Sequence, residues 1–375
     1  MLRWERLLPG QWTVGGVNGT APAAGQAYAA IGADVAVVSL GMTLYGFGSR
    51  AGDPLWVETL TGFPAGSAIV SVRAWPGVIT AGVAYGPGGA PGETVRQEVV
   101  VDPSNGHQGR SYPAAPFGGA VAAGSRYAVV VGASAVTSYD NASGAVRWTQ
   151  PTGSRAQAWR VDGGYLYVTI AAGGYLGSQP VTALRRISLL TGAELTVRPR
   201  RGSFAGTLGG ALNGVLLFTA AQGVAAYDGV TGVRLWTLAG AVPEGADPEQ
   251  DRFYLTQGGA LVGVEPWTGQ VLARASGSAV DGSSGLYSVS DGIALGLDQG
   301  SGGEAWGYDI AAQQVVWSTS RLAWPHYFVD LSGIGGSTEP GGDTVVLATC
   351  AQLAARAPGQ QAQICQRPEF VAISR

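Results

Sequence analysis

The chain of 375 residues contains no lysine, and all 22 of its basic residues are arginine. Charged residues make up 13% of the sequence and the net charge is −3, whereas ordinary soluble domains carry about 25% charged residues. The sequence has no run of basic residues and no stripe of arginine and aromatic residues, which phosphate neutralisation would need. We therefore expect no nucleic-acid partner. The exclusive use of arginine is typical of a genome rich in G and C, and it indicates a high-GC bacterium such as an actinomycete.

Long apolar runs are also missing. No stretch reaches the 18 apolar residues that a membrane-spanning helix needs, so we expect no transmembrane segment. The first ten residues, MLRWERLLPG, lack the charged, apolar and small-residue pattern of a signal peptide. If Leu2–Arg6 is a strand, the fold begins at once, and we expect that a signal or membrane anchor upstream has been removed.

Cysteine and histidine occur only twice each. Cys350 and Cys365 bracket one loop, and in an exported protein such a pair usually forms a disulfide. That bond would stabilise the fold by about 3 kcal/mol; two buried free thiols are the alternative. The two histidines, His107 and His326, are distant in sequence and make a poor zinc site with these cysteines. We expect an extracytoplasmic protein without a bound metal.

The feature that the sequence does have is a repeated hairpin with the frame D-x-x-x-G-x-x-x-W. Two segments, SYDNASGAVRW and AYDGVTGVRLW, fit the frame completely. Their frame residues are Asp140, Gly144 and Trp148 in the first and Asp228, Gly232 and Trp236 in the second. Five more segments fit partly, with first positions at residues 48, 102, 188, 265 and 309, and these include Trp56, Asp309 and Trp317. Asp and Gly at these positions are typical of tight turns.

An eighth hairpin is divided between the ends of the chain. The last residues, EFVAISR, read as the strand before the turn, and MLRWERL reads as the strand after it, with Trp4 in the Trp position. Repeats of about 40 to 50 residues built from short strands are the signature of propeller blades. We predict an all-β fold, a single domain over 1–375. It is an eight-bladed propeller of four-stranded antiparallel blades, closed by pairing of Leu2–Arg6 with Phe370–Ser374.

Two segments interrupt this regular pattern. Residues 11–25 are rich in Gly, Ala and Pro and predict a loop. Residues 243–251 form an acidic loop before a short blade six, and if that blade is vestigial the propeller has seven blades. Long inserts in blades two, four, seven and eight should gather on one face, where binding usually lies.

The hairpin A-Y-D-x-x-T-G-x-x-x-W resembles the repeat of pyrroloquinoline-quinone (PQQ)-type propellers, and the resemblance covers essentially the whole chain. That family includes quinoprotein dehydrogenases and the non-enzymatic outer-membrane assembly factors of the BamB type. The enzymes hold PQQ with a calcium ion and stack it between a Trp and a disulfide of adjacent cysteines. This chain has no adjacent cysteines and no matching Glu–Asn–Asp set. The resemblance therefore implies the non-catalytic branch without a cofactor, and PQQ with calcium is the alternative.

We assign structural roles to the residues in the frame positions, because a Trp at a fixed distance from each turn predicts packing between blades. These residues are Trp4, Trp56, Trp148, Trp236, Trp317, Asp140, Asp228 and Asp309. We assign ligand or partner contact to residues near the inserts and the mouth of the channel: Trp159, Tyr175, Asp298, Glu304, Trp324, His326 and Tyr327.

The sequence has no nucleophile elbow, zinc-protease or phosphate-loop motif. We expect no catalytic residue and a monomeric binding or scaffolding protein, with a protein or cell-envelope polymer as partner. One candidate role is the sensor or interaction part of a membrane-anchored protein. The alternatives are a PQQ- or metal-dependent oxidoreductase and a carbohydrate-active hydrolase or lyase.

Overall fold

The computed structural model describes residues 2–8, 12–14, 28–32, 34–86, 95–114, 119–132, 134–152, 156–170, 181–276, 285–290, 292–298, 304–318, 327–328, 344–353 and 363–374. These residues form strands and turns. The strands of the first half are β1 (Leu2–Leu7), β2 (Trp12–Val14), β3 (Ala29–Ile31), β4 (Val35–Leu40), β5 (Thr43–Gly48), β6 (Pro54–Thr59), β7 (Ala68–Trp75), β8 (Val78–Tyr85), β9 (Val95–Val101), β10 (Gln108–Ala114), β11 (Gly119–Gly124), β12 (Tyr127–Val131), β13 (Ala135–Asp140), β14 (Val146–Pro151), β15 (Ala156–Asp162) and β16 (Tyr165–Ile170).

The strands of the second half are β17 (Leu184–Ser188), β18 (Glu194–Val197), β19 (Thr207–Leu212), β20 (Val215–Ala220), β21 (Gly223–Asp228), β22 (Arg234–Ala239), β23 (Ala241–Asp247), β24 (Arg252–Gln257), β25 (Ala260–Val264), β26 (Val271–Ser276), β27 (Gly285–Ser290), β28 (Ile293–Asp298), β29 (Glu304–Asp309), β30 (Gln314–Ser318), β31 (Tyr327–Phe328), β32 (Thr344–Leu353) and β33 (Gln363–Ser374). No helix in the described part of the chain is long and apolar enough to cross a membrane.

The strands form antiparallel sheets that follow one another around a ring. Seven sheets are four-stranded meanders, which start at β3, β7, β11, β15, β19, β23 and β27. The remaining sheet has the order β1-β33-β32-β31, with β2 also paired to β33. From β3 to β27, the first strand of each sheet contacts the next sheet, and β31 and β32 connect the last sheet back to β29 and β3. The predicted propeller of four-stranded antiparallel blades is therefore confirmed, as seven regular blades and one sheet that closes the ring.

The closing sheet joins the two ends of the chain as the sequence predicted. Leu2 pairs with Ile373, Trp4 with Ala372 and Arg6 with Phe370. The strand that receives this N-terminal segment is deeply buried, because Phe370, Val371 and Ala372 have no exposed surface. Closure removes a free edge at which the ring could otherwise open or aggregate.

Two predicted loops were wrong. The acidic segment 243–251 is mostly strand β23, the first strand of a complete blade six, so the stated reason for a seven-bladed ring does not hold. Within the predicted loop 11–25, Trp12–Val14 is a strand that pairs with β33. Pro243 is tolerated because β23 is an edge strand and the proline lies beside a bulge between Pro243 and Gly245.

The apolar runs are buried on both faces, as the stacking of blades requires. Each residue of Ala128–Val131 and Val215–Phe218 is at most 1% exposed. Such strands lack the polar alternation of a sheet with one wet face. Burial of this apolar surface between blades is the main favourable contribution to the fold.

Six of the seven hairpin turns share the same pair of backbone hydrogen bonds. In the turn at Asp140, the Asp140 N–H donates to the Ala145 carbonyl and the Gly144 N–H donates to the Asp140 carbonyl, both at 2.8 Å. The glycine positions of six turns have φ between 69° and 75°, a region that L side chains avoid. The seventh turn has Gln313 at this position, and it keeps a positive φ of 54°.

The Trp of the frame packs between two blades. Trp56 pairs with Gly46 on the neighbouring strand of its own blade, and a Cβ on Gly46 would lie 2.2 Å from the indole. On the other side, a Cβ on Gly106, the turn glycine of the next blade, would lie 2.5 Å from the same ring. The indole N–H donates to the Pro103 carbonyl in that turn at 2.8 Å. The missing side chains of two glycines therefore make the space that the ring fills.

The other described frame tryptophans follow this geometry with one difference. Trp236 lies against Gly269 of the next blade and donates to the Pro266 carbonyl at 2.7 Å. Trp148 lies against Gly192, but its buried N–H has no acceptor, unlike that of Trp56 or Trp236. Trp317 is buried over Gly307. For Trp4, the backbone register opposite Ala372 places it in the same position.

Two exceptions show what the glycine is needed for. Arg110 replaces Trp in blade two, and its side chain still covers Gly144 of the next turn and donates to the Ala142 carbonyl at 3.3 Å. In blade six the Trp position is Ala273, and the next turn has Gln313 in place of glycine. A side chain is thus accepted at the turn where no large residue covers it.

The turn carboxylates predict an acid dependence of stability. A hydrogen bond from the Ser143 backbone, followed by one from its hydroxyl, lowers the pKa of Asp140, and the Ser104 hydroxyl and backbone N–H lower the pKa of Asp102. A carboxyl whose pKa is lower in the folded state stabilises the protein above its unfolded pKa of about 4, and that contribution is lost as the pH falls. We expect the melting temperature to fall below about pH 4.

Scanning calorimetry of Asp140→Ser between pH 3 and 7 checks this. Serine is the natural residue of the equivalent turn at Ser188, so the turn itself should persist. The variant should have a lower melting temperature than the wild type at pH 7. Its melting temperature should also fall less than that of the wild type as the pH is lowered. Parallel curves for the two proteins would contradict the role assigned to this carboxylate.

Candidate binding surface

The seven predicted contact residues are only partly described. Tyr175, Trp324 and His326 lie outside the described residues. Trp159 is the fourth residue of β15, and Asp298, Glu304 and Tyr327 are placed by their backbone at strand ends. Of these residues, the structure brings Asp298 and Glu304 together as direct cross-strand partners. Tyr327 lies opposite Cys350.

The connections between the second and third strands differ in length from blade to blade. In blades one, three, five and six they are 41–42, 132–134, 221–222 and 258–259. In blades two, four, seven and eight they are 86–94, 171–183, 299–303 and 354–362. Since all blades are meanders with the same orientation in the ring, these connections leave from one face. The hairpin turns of the frame, including His107, leave from the opposite face.

Trp159 lies inside the ring of first strands, further along β15 than the mouth of the channel where we expected it. Its indole is half-buried against the apolar cluster of blades three and four. The Arg73 guanidinium lies over the ring, 5.6 Å from its centroid. Arg73 belongs to the first strand of blade two, so this cation–π contact reaches across blade three.

A buried ion pair lies behind Arg73, between blades two and three. Arg96 Nη2 lies 2.8 Å from Glu98 Oε1 and donates to the Ser71 hydroxyl at 2.6 Å. The side chains of Arg96 and Glu98 are 12% and 3% exposed. Burial lowers the pKa of Arg73, and the nearby Glu98 carboxylate opposes that effect. Glu98 therefore balances two arginines in a dry interface.

The first strands of blades two to seven each carry a β-bulge. Arginines bind carbonyls at two of these bulges. Arg73 donates to the Ala120 carbonyl of blade three, and Arg160 donates to the Gly209 carbonyl of blade five at 2.9 Å. Bulges are common at barrel rims and next to binding sites, where they redirect side chains. The two arginines tie neighbouring blades at the channel and flank Trp159 there.

Glu244, in the segment predicted as an acidic loop, occupies the bulge of blade six. Its carboxylate accepts a hydrogen bond from the Thr256 hydroxyl at 2.5 Å. Burial raises the pKa of Glu244, and this hydrogen bond partly offsets the rise. Neither Glu244 nor the half-buried Arg73 was predicted as a site residue, because both lie in short strands without a recognisable motif.

The described ranges contain no cluster of metal-binding side chains. Among them, no three His, Cys, Asp or Glu side chains are close enough to hold a metal ion. The side chains of Cys350 and Cys365 lie outside the described set. In the backbone register Cys350 pairs with Pro368, and Cys365 pairs with Leu353, three residues further along β32. That offset is about 10 Å along a strand, more than the roughly 7 Å that a disulfide spans. The disulfide stays a prediction, and this register opposes it.

No protein-family model matches the chain, and no curated protein matches it. Similar solved structures include BamB from Moraxella catarrhalis, which is 16% identical with a TM-score of 0.46 over 72% of this chain and 80% of that chain. They also include Hsv2 from Kluyveromyces lactis, 8% identical with a TM-score of 0.49 over 78% of this chain and 97% of that chain. These likenesses concern the fold alone. BamB is of the type whose repeat the hairpins resemble.

The buried pair supports a stability prediction. Glu98→Gln keeps the shape of the side chain but leaves Arg96 and Arg73 without their counter-charge, so we expect a loss of about 3 kcal/mol. Glu194→Gln removes the same charge from the partly exposed Arg185–Glu194 pair and should cost less than about 1 kcal/mol. Urea unfolding of both variants measures the difference. Equal losses would show that the Glu98 interface is not dry.

Proposed function

We propose that this propeller is a non-catalytic binding or scaffolding protein, extracytoplasmic and monomeric, and that it serves as the sensor or interaction part of a membrane-anchored protein. Its partner is a protein or a cell-envelope polymer, and no cofactor takes part. The proposal includes the single-domain organisation of 1–375 and an origin in a high-GC bacterium.

The observation that carries the proposal is the unequal length of the connections on one face. Four blades join their middle strands with two or three residues, which closes a hairpin, while four others use five to thirteen. A rigid ring that holds long connections on a single face is the arrangement in which loops carry recognition. The Asp298–Glu304 strand pair lies at the base of one of these connections, at the same rim.

The described polar groups favour a binding role over a catalytic role, because their hydrogen bonds and ion pairs hold the fold together. The carboxylates of Asp140 and Asp228 accept hydrogen bonds from their own turns. Glu98 is paired with Arg96, and Arg73 and Arg160 bind backbone carbonyls. A ligand would therefore be recognised by the shape of the surface, by the aromatic ring of Trp159 and by the residues of the long connections.

A ligand panel separates this proposal from the oxidoreductase and carbohydrate-cleaving alternatives. Thermal shift and absorbance are followed with PQQ plus calcium, with cell-wall glycans and with peptides. We expect a glycan or peptide to raise the melting temperature, and Trp324→Ala or Tyr175→Ala to weaken that binding at least tenfold. Val57→Ala, on an outer strand away from the insert-bearing face, is the matched control and should bind normally. Tight PQQ binding with dye-linked alcohol oxidation, or turnover of a glycan, would overturn the proposal.

A further inference from the structure

The second residue after the Asp position of each hairpin turn is exposed on the face opposite the inserts. In three consecutive blades, four to six, this residue is large and apolar. Leu190 is 70% exposed, Val230 is 48% exposed and Trp267 is 44% exposed. The same position in the other recognised turns has Arg50, Ser104, Ala142 and Ala311. We call Leu190, Val230 and Trp267 the turn patch.

Contacts between the turns connect Val230 with Trp267, and Leu190 occupies the equivalent position in the neighbouring blade four. The Leu189 N–H donates to the Gly164 carbonyl at 3.0 Å, and the Gly229 N–H donates to the Gly214 carbonyl at 2.7 Å, so both turns rest on the first turn of their own blade. A Cβ on Gly214 would lie 3.7 Å from the Trp267 ring. The Trp267 ring of blade six therefore leans over the blade-five turn that supports Val230.

The turn backbone at Val230 and Trp267 is also held in place. The Val230 N–H donates to Asp228 Oδ1 at 2.7 Å, and the Trp267 N–H donates to Glu265 Oε1 at 3.1 Å. A turn backbone that is already ordered loses little conformational entropy when a partner binds, which favours affinity. Exposed apolar residues at three equivalent, neighbouring positions are the pattern of an interaction site, unlike scattered single ones.

Acidic groups lie close to Val230 and Trp267. Burial acts to raise the pKa values of Asp228 and Glu265, but hydrogen bonds from their turns outweigh it and leave both pKa values below the usual range. Asp251 accepts a hydrogen bond from Asn213, next to the Gly214 that Trp267 covers, at 2.5 Å. The turn segments 188–193, 213–214, 228–233, 247–251 and 265–270 contain no arginine. Arg234 and Arg252 directly follow two of these segments, and Arg186 helps to lower the pKa of Asp228.

We propose that the turn patch docks a cationic amphipathic segment of a partner protein. Its apolar side chains would cover Leu190, Val230 and Trp267, and its Arg or Lys side chains would face the surrounding carboxylates. Charge complementarity of this kind sets orientation and speeds association. An anionic membrane surface fits poorly because the same carboxylates repel it. The site lies on the face opposite the proposed ligand surface, so the propeller would hold two partners at once.

The test uses the full chain and a labelled 18-residue peptide of Leu and Arg with helical periodicity. We expect saturable binding by fluorescence anisotropy that weakens with salt. The triple variant Leu190→Ser, Val230→Ser, Trp267→Ser should bind at least tenfold more weakly. The matched control is Leu55→Ser, Val57→Ser, Val146→Ser, which removes equally exposed apolar residues from outer strands and should bind like the wild type. Circular dichroism confirms that both variants are folded.

The proposal would be overturned if the Arg peptide did not bind or if both triple variants lost equal affinity. Equal binding of a matched Leu–Glu peptide, or binding of anionic phosphatidylserine vesicles that requires Trp267, would overturn it too. Self-association of the wild type that the patch variant abolishes, measured by sedimentation, would assign the surface to a second copy and also overturn it. None of these results depends on ligands of the insert-bearing face.

Discussion

The structure depends on one repeated interaction, the packing of an outer-strand indole against the turn glycine of the next blade. Each blade is a small sheet that cannot bury both of its faces alone, so the ring is stable only if neighbours stack closely. Trp56 and Trp236 fill the space left by Gly106 and Gly269 and bind a carbonyl of the same turn. The packing therefore fixes the distance between blades and the orientation of the next hairpin in a single contact.

The sequence predicted the parts of the fold that this contact makes periodic. Because Asp, Gly and Trp must recur at fixed spacing, the hairpins, the blade order and the pairing of Leu2–Arg6 with β33 could be read directly. The first strands were harder to recognise. They are edge strands beside the channel with bulges, so they tolerate residues such as Pro243 and Glu244. For that reason the first strand of blade six was mistaken for an acidic loop.

The site was predictable to a smaller extent, for two physical reasons. The contact of Arg73 with Trp159 joins first strands of different blades, and it depends on the curvature of the ring rather than on any local motif. The turn patch did leave a signal, since Leu190, Val230 and Trp267 occupy one position of the aligned turns. The residue type at that position varies from turn to turn, because the neighbouring residues set the turn geometry. Only the exposure of the side chain in the folded protein distinguishes a contact residue from one that merely completes the turn.

A double-mutant cycle at Trp236 and Gly269 tests the central interaction most directly. Gly269→Ala adds a methyl group that would lie 2.6 Å from the indole, at a backbone φ of 72°. The backbone strain is the same in both backgrounds, but the collision exists only when Trp236 is present. Urea unfolding should show that Gly269→Ala costs at least about 2 kcal/mol more in the wild type than in Trp236→Ala. Equal costs, within about 0.5 kcal/mol, would contradict the account, because they would mean that the indole and the turn glycine do not depend on each other.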